Sequence, residues 1–159
     1  MIVGSGLAGY SLTRELRKRN ADMPITVVTA DGGEVYTKPM LSNALAHHHQ
    51  PDDLVQKEAA TMAADLGVEI RTRTRVLAVD RAARTLTLDG GHGTQALPYD
   101  RLVLAVGADA RVFPTAGADA VNIFTVNDLD DYRRWRERIG NEGRVLLIGA
   151  GLIGCEFAN

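Results

Sequence analysis

The sequence predicts a three-layer α/β fold with a small β-rich flap, and three observations carry that prediction. The chain opens on a short apolar strand, a glycine-rich turn and an amphipathic helix, in "IVGSGLAGYSLTRELRKRN". The same succession returns at the far end, in "GRVLLIGAGLIGCEFAN". Between the two, short β-patterned runs alternate with helical ones, as expected where strands are fed through helices into a mostly parallel sheet.

Taken in order, Ile2-Val3 is the stub of a first strand, short for its kind. The helix after it directs Leu7, Leu12 and Leu16 toward a core and Arg14, Arg17, Lys18 and Arg19 toward water. Its basic residues fall in the last turns, where they suit the helix dipole. "MPITVVTAD" holds a buried strand over 24–29 that completes a βαβ unit. Residues 39–46 suit a short helix with Pro39 near its first position. "KEAATMAADLG", 57–67, is a helix closed by Gly67.

"VEIRTRTRVLAVD" supplies strand in two pieces, broken near Thr72–Thr74. "RTLTLDGGHGTQALPYD" alternates over Thr85–Leu88, enters a Gly-rich turn and reads as a hairpin. The flap is therefore expected over roughly 68–99. Leu102–Val106 is a short apolar strand ending at Gly107, and "NDLDDYRRWRERIG" is a helix with Asn127 as its N-cap. Val145–Ile148 is the strand before the last glycines. This order implies a first domain over 1–126 and the start of a second over 127–159, with both ends looking clipped.

Composition narrows the function classes. At 159 residues with 45% hydrophobic and 24% charged content, the chain has enough apolar material for one good core. A formal net charge of -2 gives no electrostatic reason to expect nucleic acid or an anionic membrane. No run approaches the ~18 apolar residues of a membrane span. "MIVGSGLAGY" shows neither a basic n-region nor a cleavage pattern, so a cytoplasmic protein is expected. The single cysteine, Cys155, excludes a disulfide or a CxxC redox pair within these residues.

The chemistry lies in the glycines. Gly4-Ser5-Gly6-Leu7-Ala8-Gly9 fits G-x-G-x-x-G: Gly4 permits the tight turn, Gly6 lets a pyrophosphate approach the backbone, and Gly9 lets helix meet strand. Free N–H groups at the helix start then face the phosphates. The alternative is a turn that glycines merely close. The fingerprint expects an acid ~20 residues on, at the end of the next strand, to hold a ribose. Here that place holds Thr29-Ala30-Asp31, with Asp31 slightly late, so Asp31, Thr29 or a backbone group is available for the role. Gly149-Ala150-Gly151-Leu152-Ile153-Gly154 is a second fingerprint, so two dinucleotides are expected.

Three further features carry less. His47-His48-His49 are adjacent and cannot share a helix face, so they point to a solvated loop, with no metal expected. Arg133, Arg134, Arg136 and Arg138 beside Trp135 read as a solvated helix face, the alternative being a dock for an acidic electron-transfer protein. Cys155 is expected to be a buried packing residue.

Together with "YTKPMLS", "TRVLAVD", "LVLAVGA" and "GAGLIGCEFAN", these motifs resemble the FAD-dependent pyridine nucleotide–disulfide oxidoreductase superfamily, and within it the rubredoxin–NAD reductases. The resemblance spans nearly the whole chain and implies a Rossmann-like FAD-binding domain followed by the start of a second Rossmann domain. It implies that Gly4 to Gly9 hold the FAD pyrophosphate, Thr29–Asp31 its ribose, and the Val76 backbone its adenine. Ala105-Val106-Gly107 resembles the family turn that passes FAD, with Val106 where threonine is usual. Gly149, Gly151, Leu152, Ile153 and Gly154 would serve NAD(P)H, and Glu156 would lie near the flavin ring.

Lys38 stands where the family's R-P-P-L-S-K segment has its arginine, and Asn43 where it has the final lysine. The resemblance places Lys38 beside the flavin, where a cation favours the reduced, anionic ring, and near Glu156, which would compensate it. The alternative is a surface lysine in a loop. No catalytic side chain is singled out. The implied function is electron transfer from NAD(P)H through FAD to a small iron carrier of rubredoxin or ferredoxin type. The lack of a cysteine pair favours this over disulfide reduction. The competing class is a truncated, non-catalytic nucleotide-binding module.

Overall fold

The computed structural model describes residues 1–112, 114, 123–140 and 143–159. Their contacts divide them into two compact units, Met1–Val35 with Gln56–Gly107, and Tyr36–Val55 with Ala108–Asn159.

The first unit is built on a parallel sheet of β1 (Ile2–Val3), β2 (Thr26–Val28), β3 (Glu69–Arg71) and β7 (Val103–Leu104). Its strand order is β3-β2-β1-β7. Ile2 aligns with Val27 and Val103, and Val3 with Val28 and Leu104. Because side chains alternate along a strand, neighbouring residues serve opposite faces. Ile2, Ile25 and Val27 meet Leu12 and Leu16 of helix α1 (Leu7–Arg19). Val3 and Val28 meet Leu86 and Leu88 on the other side.

Leu86 and Leu88 belong to β5 (Thr85–Asp89), the centre of an antiparallel sheet with β4 (Arg75–Asp80) and β6 (Thr94–Pro98). Their burial alternates with half-buried Thr85, Thr87 and Asp89, the pattern of a strand with one face in the core. The unit thus has the three expected layers: helix, parallel sheet, antiparallel sheet. The flap is narrower than its expected span of 68–99, because β3 joins the parallel sheet through Thr26, Val27 and Val28. The break near Thr72–Thr74 is where the chain changes sheets.

Helix α1 departs from the expected burial. Leu7 is 87% exposed, and the buried face is made by Gly9, Tyr10 and Thr13. Leu7 is the first helical residue, so its side chain projects from the open end of the helix and not onto the sheet. Arg17 closes the far end. Its guanidinium donates to Leu66 O and Gly67 O, each at 2.8 Å, to Asn20 O at 3.4 Å, and to Ala21 O. One side chain therefore satisfies carbonyls at the ends of both α1 and α3 (Ala59–Leu66), which Gly67 terminates in the left-handed conformation.

The second unit has its own core of Leu41, Ala44, Leu54, Leu129, Tyr132 and Trp135. It is made by α2 (Met40–Asn43), a 3₁₀ turn at Pro51–Leu54 and α4 (Leu129–Ile139). Phe157 of α5 (Leu152–Ala158) meets Trp135 edge-on, with ring centroids 5.4 Å apart. The N-cap of α4 is Asp128, not the expected Asn127: the Asp128 carboxylate accepts from Asp131 N at 2.7 Å. Burial raises the Asp128 pKa above the usual carboxylate range, against the lowering effect of that backbone bond.

The arginine face of α4 is not simply solvated, since Arg133 reaches Asp52 at 3.0 Å and Arg134 pairs with Asp131. His47 and His48 are exposed, and His49 is half-buried.

The strand expected at Val145–Ile148 is not formed. A strand needs a neighbour to complete its backbone bonds, and none of the described strands pairs with this run. Leu146 and Ile148 are 85% and 75% exposed. Cys155 is likewise exposed, not buried, because α5 has no buried residue of its own.

Candidate functional site

The turn after β1 is shaped by what a side chain would strike. At Gly4, φ is +105°, and an added Cβ would lie 2.2 Å from the Ala105 carbonyl oxygen. At Gly9, an added Cβ would lie 2.0 Å from Gly4 O and 2.9 Å from Gly4 C. Both neighbours are backbone, so neither position admits a side chain without moving the sheet or the helix. Gly4 N donates to Val28 O at 2.8 Å, and Ala105 N to Val3 O at 2.7 Å, which ties the turn to both flanking strands.

Gly6 differs in kind. It is the N-cap of α1 with an extended backbone, and an added Cβ would meet nothing within 4 Å. Gly6, Leu7 and Ala8 are all exposed. The first N–H groups of a helix have no partner within the helix. A narrow glycine turn therefore presents open backbone at the positive end of a 13-residue helix. The arrangement fits a pyrophosphate, since nothing of the protein occupies the space that the missing Gly6 side chain leaves.

The end of β2 is joined to this turn by a buried polar network. Ser5 Oγ lies 2.9 Å from Thr29 Oγ1 and 3.1 Å from Asp31 Oδ1. Thr29 Oγ1 donates to Asp31 Oδ1 at 2.6 Å, and Gly33 N donates to the same oxygen at 2.9 Å. Asp31 Oδ1 thus serves the protein, while Thr29 is only 4% exposed and Ala30 points outward. Tyr10 completes the network by donating its hydroxyl to Gly33 O at 2.5 Å. Burial, aided by Asp31 and Glu34, pushes the Tyr10 phenol up to about 12. Val76 is half-buried against the Val3–Val28 face, and Val106 and Gly107 lie open beyond Ala105.

The structure thus brings together Gly4 to Gly9, Thr29, Asp31 and Ala105. Tyr10 and Gly33 were not singled out in the sequence. Tyr10 and Thr13, three apart and following Gly9, would have marked the buried helix face.

In the second unit, Gly149 has φ +116° and a Cβ at Gly154 would lie 2.1 Å from Gly149 O. That repeats the internal geometry of Gly4 and Gly9. Around it the resemblance ends, because a Cβ at Gly149 meets nothing within 4 Å where the one at Gly4 meets Ala105. Gly151 caps α5, and Leu152 and Ile153 are exposed at 87% and 65%.

Lys38 and Glu156 do not form the expected ion pair. Lys38 Nζ donates to Asn127 Oδ1 at 2.9 Å, and Glu156 accepts from Ser42 Oγ. The reason is local. Ser42 is buried on the short helix α2 that Pro39 starts, whereas Lys38 lies just before it and turns toward α4. The KPMLS segment and Glu156 do meet, but through the serine. Ser42 was quoted in the sequence motif without a role.

A glycine turn with an open N-cap, closed against a parallel sheet and coupled to an acid at the end of β2, defines a dinucleotide-binding α/β protein. More specifically, the chain belongs to the pyridine nucleotide-disulphide oxidoreductase family, whose description matches residues 1–159.

The chain is 40% identical over 159 residues to the rubredoxin-NAD(+) reductase of Alcanivorax borkumensis, and 41% identical over 161 residues to that of Acinetobacter baylyi. All of this chain is covered in both cases, but only 41% of each relative. Among solved structures, the NADH:rubredoxin oxidoreductase of Clostridium acetobutylicum matches 99% of this chain and 39% of its own, at 25% identity and a TM-score of 0.82. The covalent putidaredoxin reductase–putidaredoxin complex matches 99% and 38%, at 31% identity and a TM-score of 0.76. No helix among the described residues is long and apolar enough to cross a membrane.

Proposed function

We propose that this chain carries the FAD-holding part, and the beginning of the NAD(P)H-holding part, of a flavoprotein reductase. The whole protein would pass electrons from NAD(P)H to a small iron carrier of rubredoxin or ferredoxin type. The observation that carries the proposal is the contrast at the first turn. Gly4 and Gly9 are filled by backbone, while Gly6 is open. Two glycines close a cradle and the third leaves room for a ligand. The names of the relatives, rubredoxin-NAD(+) reductase and NADH:rubredoxin oxidoreductase, support the choice of electron donor and acceptor class.

In this reading residues 1–126 are the FAD domain and 127–159 open the nicotinamide domain. Gly6, Leu7 and Ala8 would offer N–H groups to the pyrophosphate. Asp31 would accept from the ribose through its second oxygen, its first being held by Thr29, Ser5 and Gly33. The Val76 backbone would meet the adenine, and Ala105-Val106-Gly107 would pass the middle of the cofactor. Lys38 and Glu156 would face the ring, and Gly149, Gly151, Leu152, Ile153 and Gly154 would receive NAD(P)H.

The flavin, when bound, supplies the change from two-electron to one-electron transfer that an iron carrier needs. A single cysteine, exposed at Cys155, leaves no dithiol in this chain to take the electrons instead. Cytoplasmic location belongs to the same proposal.

The test is direct. Purified protein titrated with FAD should quench the flavin fluorescence and yield a bound-flavin spectrum, and anaerobic NADH should bleach a full-length form. Protein that leaves flavin fluorescence unchanged at saturating concentration would overturn the proposal. Binding without bleaching in the full-length form would favour a nucleotide-binding module without catalysis.

A further inference from the structure

Of the three lysines in the sequence, two carry a carboxylate partner: Lys18 with Glu15 at 2.6 Å and Lys57 with Asp65 at 2.5 Å. Lys38 does not. Its ammonium is held by the amide oxygen of Asn127 at 2.9 Å, and among the described residues no acid pairs with it.

The Asn127 amide is fixed at its other end, where Nδ2 donates to Ala108 O at 2.8 Å. A lysine can only donate and a backbone carbonyl can only accept, so the amide has one orientation that serves both. The Asn127 backbone is fixed as well, with its N–H donating to Asp131 Oδ2 at 2.9 Å. The helix it precedes is anchored by the Asp128 cap and by Leu129, Tyr132 and Trp135 in the core. The nearby acids are otherwise engaged: Asp131 pairs with Arg134, and Glu156 accepts from Ser42.

We infer that Asn127 is a positioning residue for Lys38, holding the ammonium in place with a neutral group so that its positive charge stays uncompensated. This rests on the proposed role of Lys38 toward the flavin. It extends that role, because an acid at the same place would fix the lysine equally well and cancel the charge that favours a reduced ring. A neutral amide separates the two tasks. The sequence fits this division: the family acid expected to compensate the lysine is present as Glu156 but is bound to Ser42 instead.

The test uses the whole chain and has a readout that needs no cofactor. Reductive methylation of the flavin-free protein, followed by mass spectrometry, measures Lys38 against Lys18 and Lys57 as internal references. In Asn127→Ala, Lys38 should react roughly fivefold faster, the factor carried by ~1 kcal/mol of hydrogen bond, with the references unchanged. Asn127→Asp keeps the acceptor, so Lys38 should react no faster than in the parent protein. With FAD bound, however, the midpoint potential should fall in Asn127→Asp, as in Lys38→Met.

An unchanged Lys38 rate in Asn127→Ala would overturn the positioning role. If Asn127→Ala fails to fold, a faster Lys38 in Asn127→Asp would overturn it equally. A faster Lys38 in Asn127→Ala, with flavin potentials unmoved in Asn127→Asp and Lys38→Met, would leave the Asn127 hold standing and remove the flavin role of Lys38.

Discussion

Replacing Gly6 by valine separates binding from folding at this site. On the protein side the cost is small. The backbone at Gly6 has φ −64° and ψ −171°, which any L residue adopts, and an added Cβ meets nothing within 4 Å. Loss of a glycine N-cap without a side-chain bond is worth at most ~1 kcal/mol. On the ligand side the new methyls occupy the approach of the pyrophosphate. Hydrogen bonds to a charged group contribute about 1.5–3 kcal/mol each. Displacing the phosphates from one or two N–H groups should therefore weaken FAD binding by roughly 10- to 10⁴-fold.

Flavin-fluorescence titration measures the loss of affinity and urea unfolding the cost in stability. Gly9→Ala is the counter-case. Its Cβ would lie 2.0 Å from Gly4 O, so strain should cost ~1–3 kcal/mol or more in stability. If Gly6→Val binds FAD like the parent protein, or unfolds as readily as Gly9→Ala, the division of labour among the three glycines is wrong.

Three other perturbations follow from single contacts. Arg17→Ala should lower stability by about 1–3 kcal/mol in urea, because it leaves the carbonyls at the ends of α1 and α3 without their charged donor. Arg17→Lys should recover only part, since an ammonium lacks the planar fork. Tyr10 gives a pH signature: its folded pKa of about 12 lies above the 10.0 of a free phenol, so its contribution is complete below pH 10 and lost as pH rises through 12. The stability advantage of the parent protein over Tyr10→Phe should therefore shrink across that window, and a constant advantage would contradict the buried phenol. At the α4 N-cap, Asp128→Ala should cost about 0.5–2 kcal/mol. Asp128→Asn should be nearly neutral at pH 7, because the amide keeps the acceptor without a half-buried charge; thermal melts compare the pair.

The fold of the first unit was legible because its signals are local. Glycine spacing, the alternation in Thr85–Leu88 and the break near Thr72–Thr74 each constrain a few consecutive residues, and each element is present. What escaped were features that need a partner to exist. Val145–Ile148 has the composition of a buried strand, but composition does not supply the neighbour that would pair with it. Leu7 follows the helical period, yet helix position and not period decided its exposure.

The same holds at the site. The glycine motif locates the cradle, whereas the exchange of Lys38 and Glu156 for Asn127 and Ser42 depends on rotamers and on contacts across 89 and 114 residues of sequence. Asn127 looked like a cap because asparagine before "DLDDY" satisfies the capping pattern as well as Asp128 does. Only the backbone geometry chooses between them.

The two compact units are interleaved along the chain, since Tyr36–Val55 belongs with Ala108–Asn159 while the residues on either side of it belong together. This has a consequence for how the protein is made. Emerging from a ribosome, the chain presents Leu41, Ala44 and Leu54 long before Leu129, Tyr132 and Trp135 exist to cover them. The apolar stretch must wait, exposed or loosely held, for residues that follow the first unit in sequence. Contacts so distant in sequence raise the entropy of closure and slow folding. The first unit is interrupted in sequence by a 20-residue segment whose core partners come from the second unit. A single cleavage cannot release either unit as one continuous peptide, so expressing either alone calls for a redesigned chain order and not a simple truncation.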